Sequence, residues 1–150
     1  QLSCEGRYEI TDGMRAQLHD FYGNYASEEE TKARIAAVYG DTGYVMDTHT
    51  AVAVNALEQY QEETGDKTPA LVVSTASPFK FADSVLTALG CEVPAGEFDC
   101  LRALSEVSGL AVPASLAQLE ELPVRFEGAV RPQEMEHALL HALRKMDESM

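Results

Sequence analysis

The sequence has 150 residues, 45% of them hydrophobic and 24% charged, which suits one globular domain with a core rather than a disordered chain. Its formal net charge is −14, and the 11 lysines and arginines are scattered, so neither nucleic acid nor an anionic membrane is an expected partner. No apolar run is long enough to span a bilayer, and the start, Leu2-Ser3-Cys4-Glu5-Gly6-Arg7, lacks the pattern of a signal peptide. Cys4, Cys91 and Cys100 have no CxxC spacing, so no disulfide framework or zinc site is expected, and the cytoplasm is the expected location.

In chain order, residues 7–10 read as a short strand or an extended entry. Asp12 reads as the N-cap of a helix to about Tyr22, with Met14, Leu18, Phe21 and Tyr22 on its apolar face. Ser27 and Glu30 have the spacing of a capping box, and Glu28, Glu29 and Glu30 suit the positive end of a helix. Ile35, Val38 and Tyr39 face inward, and Gly40 and Gly43 end that helix. Tyr44 to Met46 is β-leaning and reads as a strand. A helix follows from Asp47 or Thr48 to Thr64, closed by Gly65, and its apolar first half predicts burial on more than one side.

Asp66 to Pro69 is a surface loop, and Ala70 to Ser74 reads as a second, buried strand. Strand, helix, strand of these lengths predicts a parallel βαβ unit with strands near 44–46 and 70–74. Ser77 can cap the next helix, with Pro78 at its first position. Phe79, Ala82, Val85, Leu86 and Leu89 line one face, and Gly90 stops it. Further helices are predicted over Phe98–Val107, Pro113–Leu122 and Pro132–Met146, the last with Met135, Leu139, Leu140 and Leu143 inward. Val124-Arg125-Phe126 reads as a brief extended piece. The fold class expected is α/β, helix-rich, in a single domain over 1–150.

In a parallel sheet, ligands lie beyond the carboxyl ends of the strands. Asp47-Thr48-His49-Thr50 and Ser74-Thr75-Ala76-Ser77 both fall there, so their hydroxyls are expected to face one crevice. Lys80 lies in a first helical turn, where a cation opposes the helix dipole unless an anion binds beside it. His49 with Asp47 suggests a metal ligand or an acid–base pair. His137 and His141 are four apart but lack an HExxH pattern, and a surface position is preferred for them. No GxSxG elbow or glycine-rich phosphate loop occurs.

Three stretches carry a resemblance: Gly43-Tyr44-Val45-Met46-Asp47-Thr48-His49-Thr50-Ala51-Val52-Ala53, Thr64-Gly65-Asp66-Lys67-Thr68-Pro69 and Val73-Ser74-Thr75-Ala76-Ser77-Pro78-Phe79-Lys80-Phe81. Together with Leu122-Pro123-Val124-Arg125 and the closing helix, they resemble the C-terminal region of the threonine synthase family. The resemblance implies a fold-type II enzyme dependent on pyridoxal phosphate (PLP), a lyase of threonine biosynthesis. Such an enzyme converts O-phosphohomoserine and water to threonine and phosphate. It implies that Thr75 meets the pyridine nitrogen of PLP, with Ser74 beside it as a cofactor-binding residue. Ser77, Lys80 and His49 are implied substrate-binding residues.

The family's Schiff-base lysine and its cofactor-phosphate loop lie upstream of these motifs, and Lys32, Lys67, Lys80 and Lys145 lack their context. The chain therefore reads as a C-terminal fragment that has no catalytic residue of its own. It is expected to be inactive and free of PLP alone, and open to self-association through an exposed edge or apolar patch. The alternatives are a fragment of another PLP fold-type II lyase and a non-catalytic domain that binds an anion or a partner.

Overall fold

Ser27 opens the best-defined part of the molecule. In the computed structural model, which describes residues 2–124 and 129–147, its hydroxyl accepts from Glu30 N at 3.2 Å, and the Glu30 carboxylate accepts from Ser27 N at 2.7 Å. This reciprocal box satisfies amides that the first helical turn leaves unpaired. The Glu30 carboxyl is held below its usual range, first by the Ser27 backbone amide and second by the Ser27 hydroxyl, which donates to the same carboxylate oxygen at 2.7 Å. The helix that follows, α3 (Glu28–Thr42), comes after two short ones, α1 (Leu2–Glu5) and α2 (Asp12–Ala16). It runs past Gly40 and stops at Gly43, whose φ of 74° is costly for any residue with a Cβ.

Next in order are α4 (Thr48–Thr64), a 3-10 turn (Pro78–Phe81), α5 (Ala82–Ala88), α6 (Glu97–Ser108) and α7 (Ala114–Ala117). Helix α3 packs on α4 and α5, and α5 packs on α6. Their inward residues form the core: Ile35 from α3, Ala51 from α4, Val85 and Leu86 from α5, and Cys100 and Leu104 from α6. Burial, then the charges of Asp83, Asp99 and Glu97, push the Cys100 thiol up. Arg34 ties α3 to α4 by bonding both Asn55 Oδ1 and the Glu58 carboxylate.

The expected parallel βαβ unit is not formed. Among the described residues there is no strand, and the class is helical. The two apolar runs fail as strands in different ways. Val45 and Met46 are buried, but they join the helical core as side chains, without a backbone hydrogen-bond partner among the described residues. Leu71 and Val73 are 89% and 67% exposed, with nothing among the described residues covering them. A short apolar run states that burial is favourable, and only a neighbouring strand makes it a sheet.

Other boundaries also differ. Thr11, not Asp12, caps α2, which stops at Ala16, so Met14, Leu18, Phe21 and Tyr22 are exposed. Tyr60 and Asp66 pin the start of the connector 66–76: the Tyr60 hydroxyl donates to Asp66 at 2.9 Å. The Asp66 carboxyl is held low by the Thr68 hydroxyl and amide, with Tyr60 adding to them.

Contacts divide the chain into two units, Gln1–Ala117 and Gln118–Met150. The second holds two 3-10 turns (Gln118–Glu121 and Pro132–Glu134) and α8 (Met135–Asp147). None of residues 118–124 and 129–145 is buried, Met135, Leu139, Leu140 and Leu143 included, although all four were expected inward. Of the extended piece expected at 124–126, Arg125 and Phe126 lie outside the described residues.

Candidate functional site

The site grows from one side chain, Asp47. It is the N-cap of α4, and it is fully buried. An ionised carboxylate can be buried only if its oxygens are satisfied. Oδ1 accepts from His49 N at 2.8 Å and Thr50 N at 3.3 Å, and Oδ2 accepts from the Thr50 hydroxyl. The first two are the ordinary bonds of a helix cap. The third extends the network, because Thr50 Oγ1 is 3.2 Å from Ser74 Oγ. A threonine hydroxyl has a single proton, and here the carboxylate takes it. Ser74 is then the donor in the second contact.

This network brings the two polar stretches together without a sheet. Ser74 belongs to the connector 66–76 and Thr50 to the first turn of α4, yet their hydroxyls meet. The adjacent Thr75 is exposed, and among the described residues its hydroxyl has no hydrogen-bond partner. Ser77 is engaged locally: its Oγ accepts from Phe79 N at 3.3 Å and caps the 3-10 turn.

His49 lies on the other side of Asp47. Its Nδ1 is 3.5 Å from Asp47 Oδ1 and 3.4 Å from Thr48 Oγ1. Its ring lies against Phe81, with centroids 5.1 Å apart and planes inclined at 42°. The exposed Lys80 places Nζ 5.6 Å from the centre of the same phenyl ring, within reach of a cation–π contact. His49, Thr48 and Phe81 also line an open cleft of about 320 Å³, together with Glu28, Lys32 and Ser84. The cleft is therefore lined by one ammonium, one imidazole, one carboxylate and the three hydroxyl residues Thr31, Thr48 and Ser84, over an apolar patch.

Of the residues expected at the site, Ser74 and His49 are brought to Asp47, Lys80 to Phe81, and Ser77 to a cap. Thr75 stands beside them unengaged. Lys32, Phe81 and Ser84 were missed as site residues. Lys32 belongs to a helix that the sequence does not connect with His49, and no local signal marks it. Phe81 closes the Val73–Phe81 stretch that carries the resemblance, but the sequence reading gave it no role. Among the described residues no group of three or more His, Cys, Asp or Glu could hold a metal ion. No helix among them is long and apolar enough to cross a membrane.

Comparison with known proteins gives this geometry a lineage. The family model described as "Threonine synthase, C-terminal" matches residues 50–139. Threonine synthase-like 1 of Macaca fascicularis is 36% identical over 90 residues, which are 59% of this chain and 12% of that protein. Threonine synthase of Saccharomyces cerevisiae is 34% identical over 95 residues, 59% of this chain and 18% of the yeast protein. Threonine synthase of Methylobacillus glycogenes is 31% identical over 133 residues, 85% of this chain and 23% of the bacterial protein. The matched model covers more than half of the sequence, and the chain belongs to the threonine synthase family, in its C-terminal region. It spans between 12% and 23% of the length of these relatives.

Proposed function

We propose that this chain is the C-terminal part of a PLP-dependent threonine synthase, which converts O-phosphohomoserine and water to threonine and phosphate. The family match over 50–139 carries the reading. The alternatives have no comparable support: the relatives named above are threonine synthases or threonine synthase-like. The free thiols of all three cysteines suit a reducing cytoplasm, where we place the enzyme.

The donors present fit one wall of a PLP site. The carboxylate in the network, Asp47, is buried and committed to α4 and Thr50. The group left uncommitted is the Thr75 hydroxyl. That is the donor set for a neutral partner to a pyridine nitrogen rather than an acidic one. When bound, PLP supplies an electron sink for charge that develops on the substrate's carbons. Thr75 would hold the ring nitrogen, and Ser74 would hold the Thr75 backbone in place through Thr50 and Asp47. Lys80 and His49 are the groups beside Phe81 that could meet the anionic end of a substrate, with Ser77 capping the turn that carries Lys80.

The 150-residue chain contributes this wall, and we propose that the rest of the pocket, with its covalent lysine, comes from the larger protein, so that the chain alone is inactive. The exposed Leu71 and Val73 favour self-association of the isolated chain. Light scattering should then give a mass above the monomer at high concentration, and a strictly monomeric mass would count against it. The functional reading is tested by phosphate release from O-phosphohomoserine. The full-length protein should release phosphate and form threonine, and the 150-residue chain should do neither. No turnover by the PLP-loaded full-length protein would overturn the reading.

A further inference from the structure

The cleft of about 320 Å³ is lined by polar groups that the fold does not use. Lys32 from α3 and Ser84 from α5 both line it, and both are half-buried. Among the described residues, Lys32 has no ion-pair partner, and neither its ammonium nor the Ser84 hydroxyl has a hydrogen-bond partner. The other hydroxyls are engaged: Thr31 donates to Ser27 O at 2.8 Å, and Thr48 Oγ1 is 3.4 Å from the His49 ring. Arg34 provides the contrast. Two residues along α3, it lines a separate pocket of about 360 Å³ with Glu30, Glu58 and Glu62, and it is bonded to Asn55 and Glu58. A partly desolvated cation without a counter-charge is unfavourable. The fold supplies that counter-charge to Arg34 and, despite a net charge of −14, withholds it from Lys32.

We propose that the cleft holds a phosphate group, with the Lys32 ammonium as its counter-charge and the Ser84 hydroxyl as a neutral donor. Among the described residues no arginine lines the cleft. A carboxylate is best gripped by the planar fork of an arginine, whereas a lysine serves phosphate as a point charge. Basic groups also converge there from other elements. His49 lines the cleft, and the Lys80 ammonium lies 5.6 Å from the ring centre of Phe81, which forms part of its wall. Glu28 lines it too and opposes an anion, but it is exposed, so water and salt screen its charge. The ligand is inorganic phosphate or the phosphoryl end of a small molecule. The site goes beyond the proposed function, which gives Lys32 and Ser84 no role, and it does not rest on that function.

The test is a titration of the 150-residue chain with inorganic phosphate at constant ionic strength, followed by backbone amide shifts. The amides of Lys32, His49 and Ser84 should shift and saturate, and chloride at the same ionic strength should not move them. Lys32→Gln should raise the Kd about tenfold, the scale of one charge-assisted hydrogen bond. Lys32→Arg keeps the charge and should retain most of the binding, and Glu28→Gln should tighten it. No saturable shift in the wild type would overturn the proposal, as would an equal Kd in Lys32→Gln. In the full-length protein, a rise of about tenfold in KM for O-phosphohomoserine in Lys32→Gln, with kcat little changed, would identify the group as the substrate's phosphate. An unchanged KM, with phosphate binding still weakened, would identify it as free phosphate. Absence of turnover in the wild type would defeat the functional reading and leave the titration standing.

Discussion

Helix pair α3–α4 and the connector 66–76 are built from similarly apolar sequence, and they meet opposite fates. In the helix pair, Ile35 and Ala51 are buried, Arg34 spans the two helices, and both ends are capped. In the connector, Leu71 and Val73 face outward, and the side-chain tie between its distal end and α4 is the contact of Ser74 with Thr50. The difference teaches that the helices here are self-sufficient, since their backbone bonds are internal and their caps are local. The connector depends on neighbours. It contributes hydroxyls to a site rather than area to a core.

The largest effect that should separate the two regions is a core truncation. Leu104 is fully buried in α6, so Leu104→Ala should cost about 2–5 kcal/mol in denaturant unfolding. Leu71→Ala, at an exposed position, should change stability by less than about 0.5 kcal/mol. Equal losses would mean that the connector is packed in solution, and the contrast would fail. A middle effect comes from the capping box. Ser27→Ala removes the hydroxyl that accepts from Glu30 N and should cost about 1 kcal/mol.

Acid should weaken the same end of α3. The folded-state pKa of Glu30 lies below its ordinary value, so its contribution is present above that ordinary value. It is lost as pH falls through the lowered one. A melting temperature that does not drop on acidification through the carboxylate range would argue against the box. The drop should be smaller in Ser27→Ala than in the wild type.

The sequence was most legible where structure is local. Ser27 with Glu30 predicted a capping box, Gly43 and Gly65 predicted helix ends, and each is found, because these signals act within five residues. It misled where structure is non-local. Leu71 and Val73 resemble part of a buried strand, but hydropathy does not say what will cover them, and nothing among the described residues does. The fold class went wrong for that reason, and the parallel sheet went with it. The approach of Asp47-Thr48-His49-Thr50 to Ser74-Thr75 was inferred from parallel strands. It arises instead from a cap carboxylate and two hydroxyls. Lys32 and Phe81 could not be assigned, because the cleft that gathers them is made by three segments distant in sequence.

The smallest expected change in stability is also the most informative one for function. Thr75 is exposed and its hydroxyl is unengaged among the described residues, so Thr75→Val should leave the unfolding midpoint of the chain unchanged. If that hydroxyl is the partner of the cofactor ring, its loss removes a hydrogen bond of about 1–3 kcal/mol, roughly 5- to 150-fold in rate. The direct measurement is kcat for phosphate release by the full-length protein carrying Thr75→Val, set beside Thr75→Ser. The account predicts a loss within that range for valine and near-wild-type turnover for serine. Full activity in Thr75→Val, with stability unchanged, would contradict the assignment of this edge to the active site.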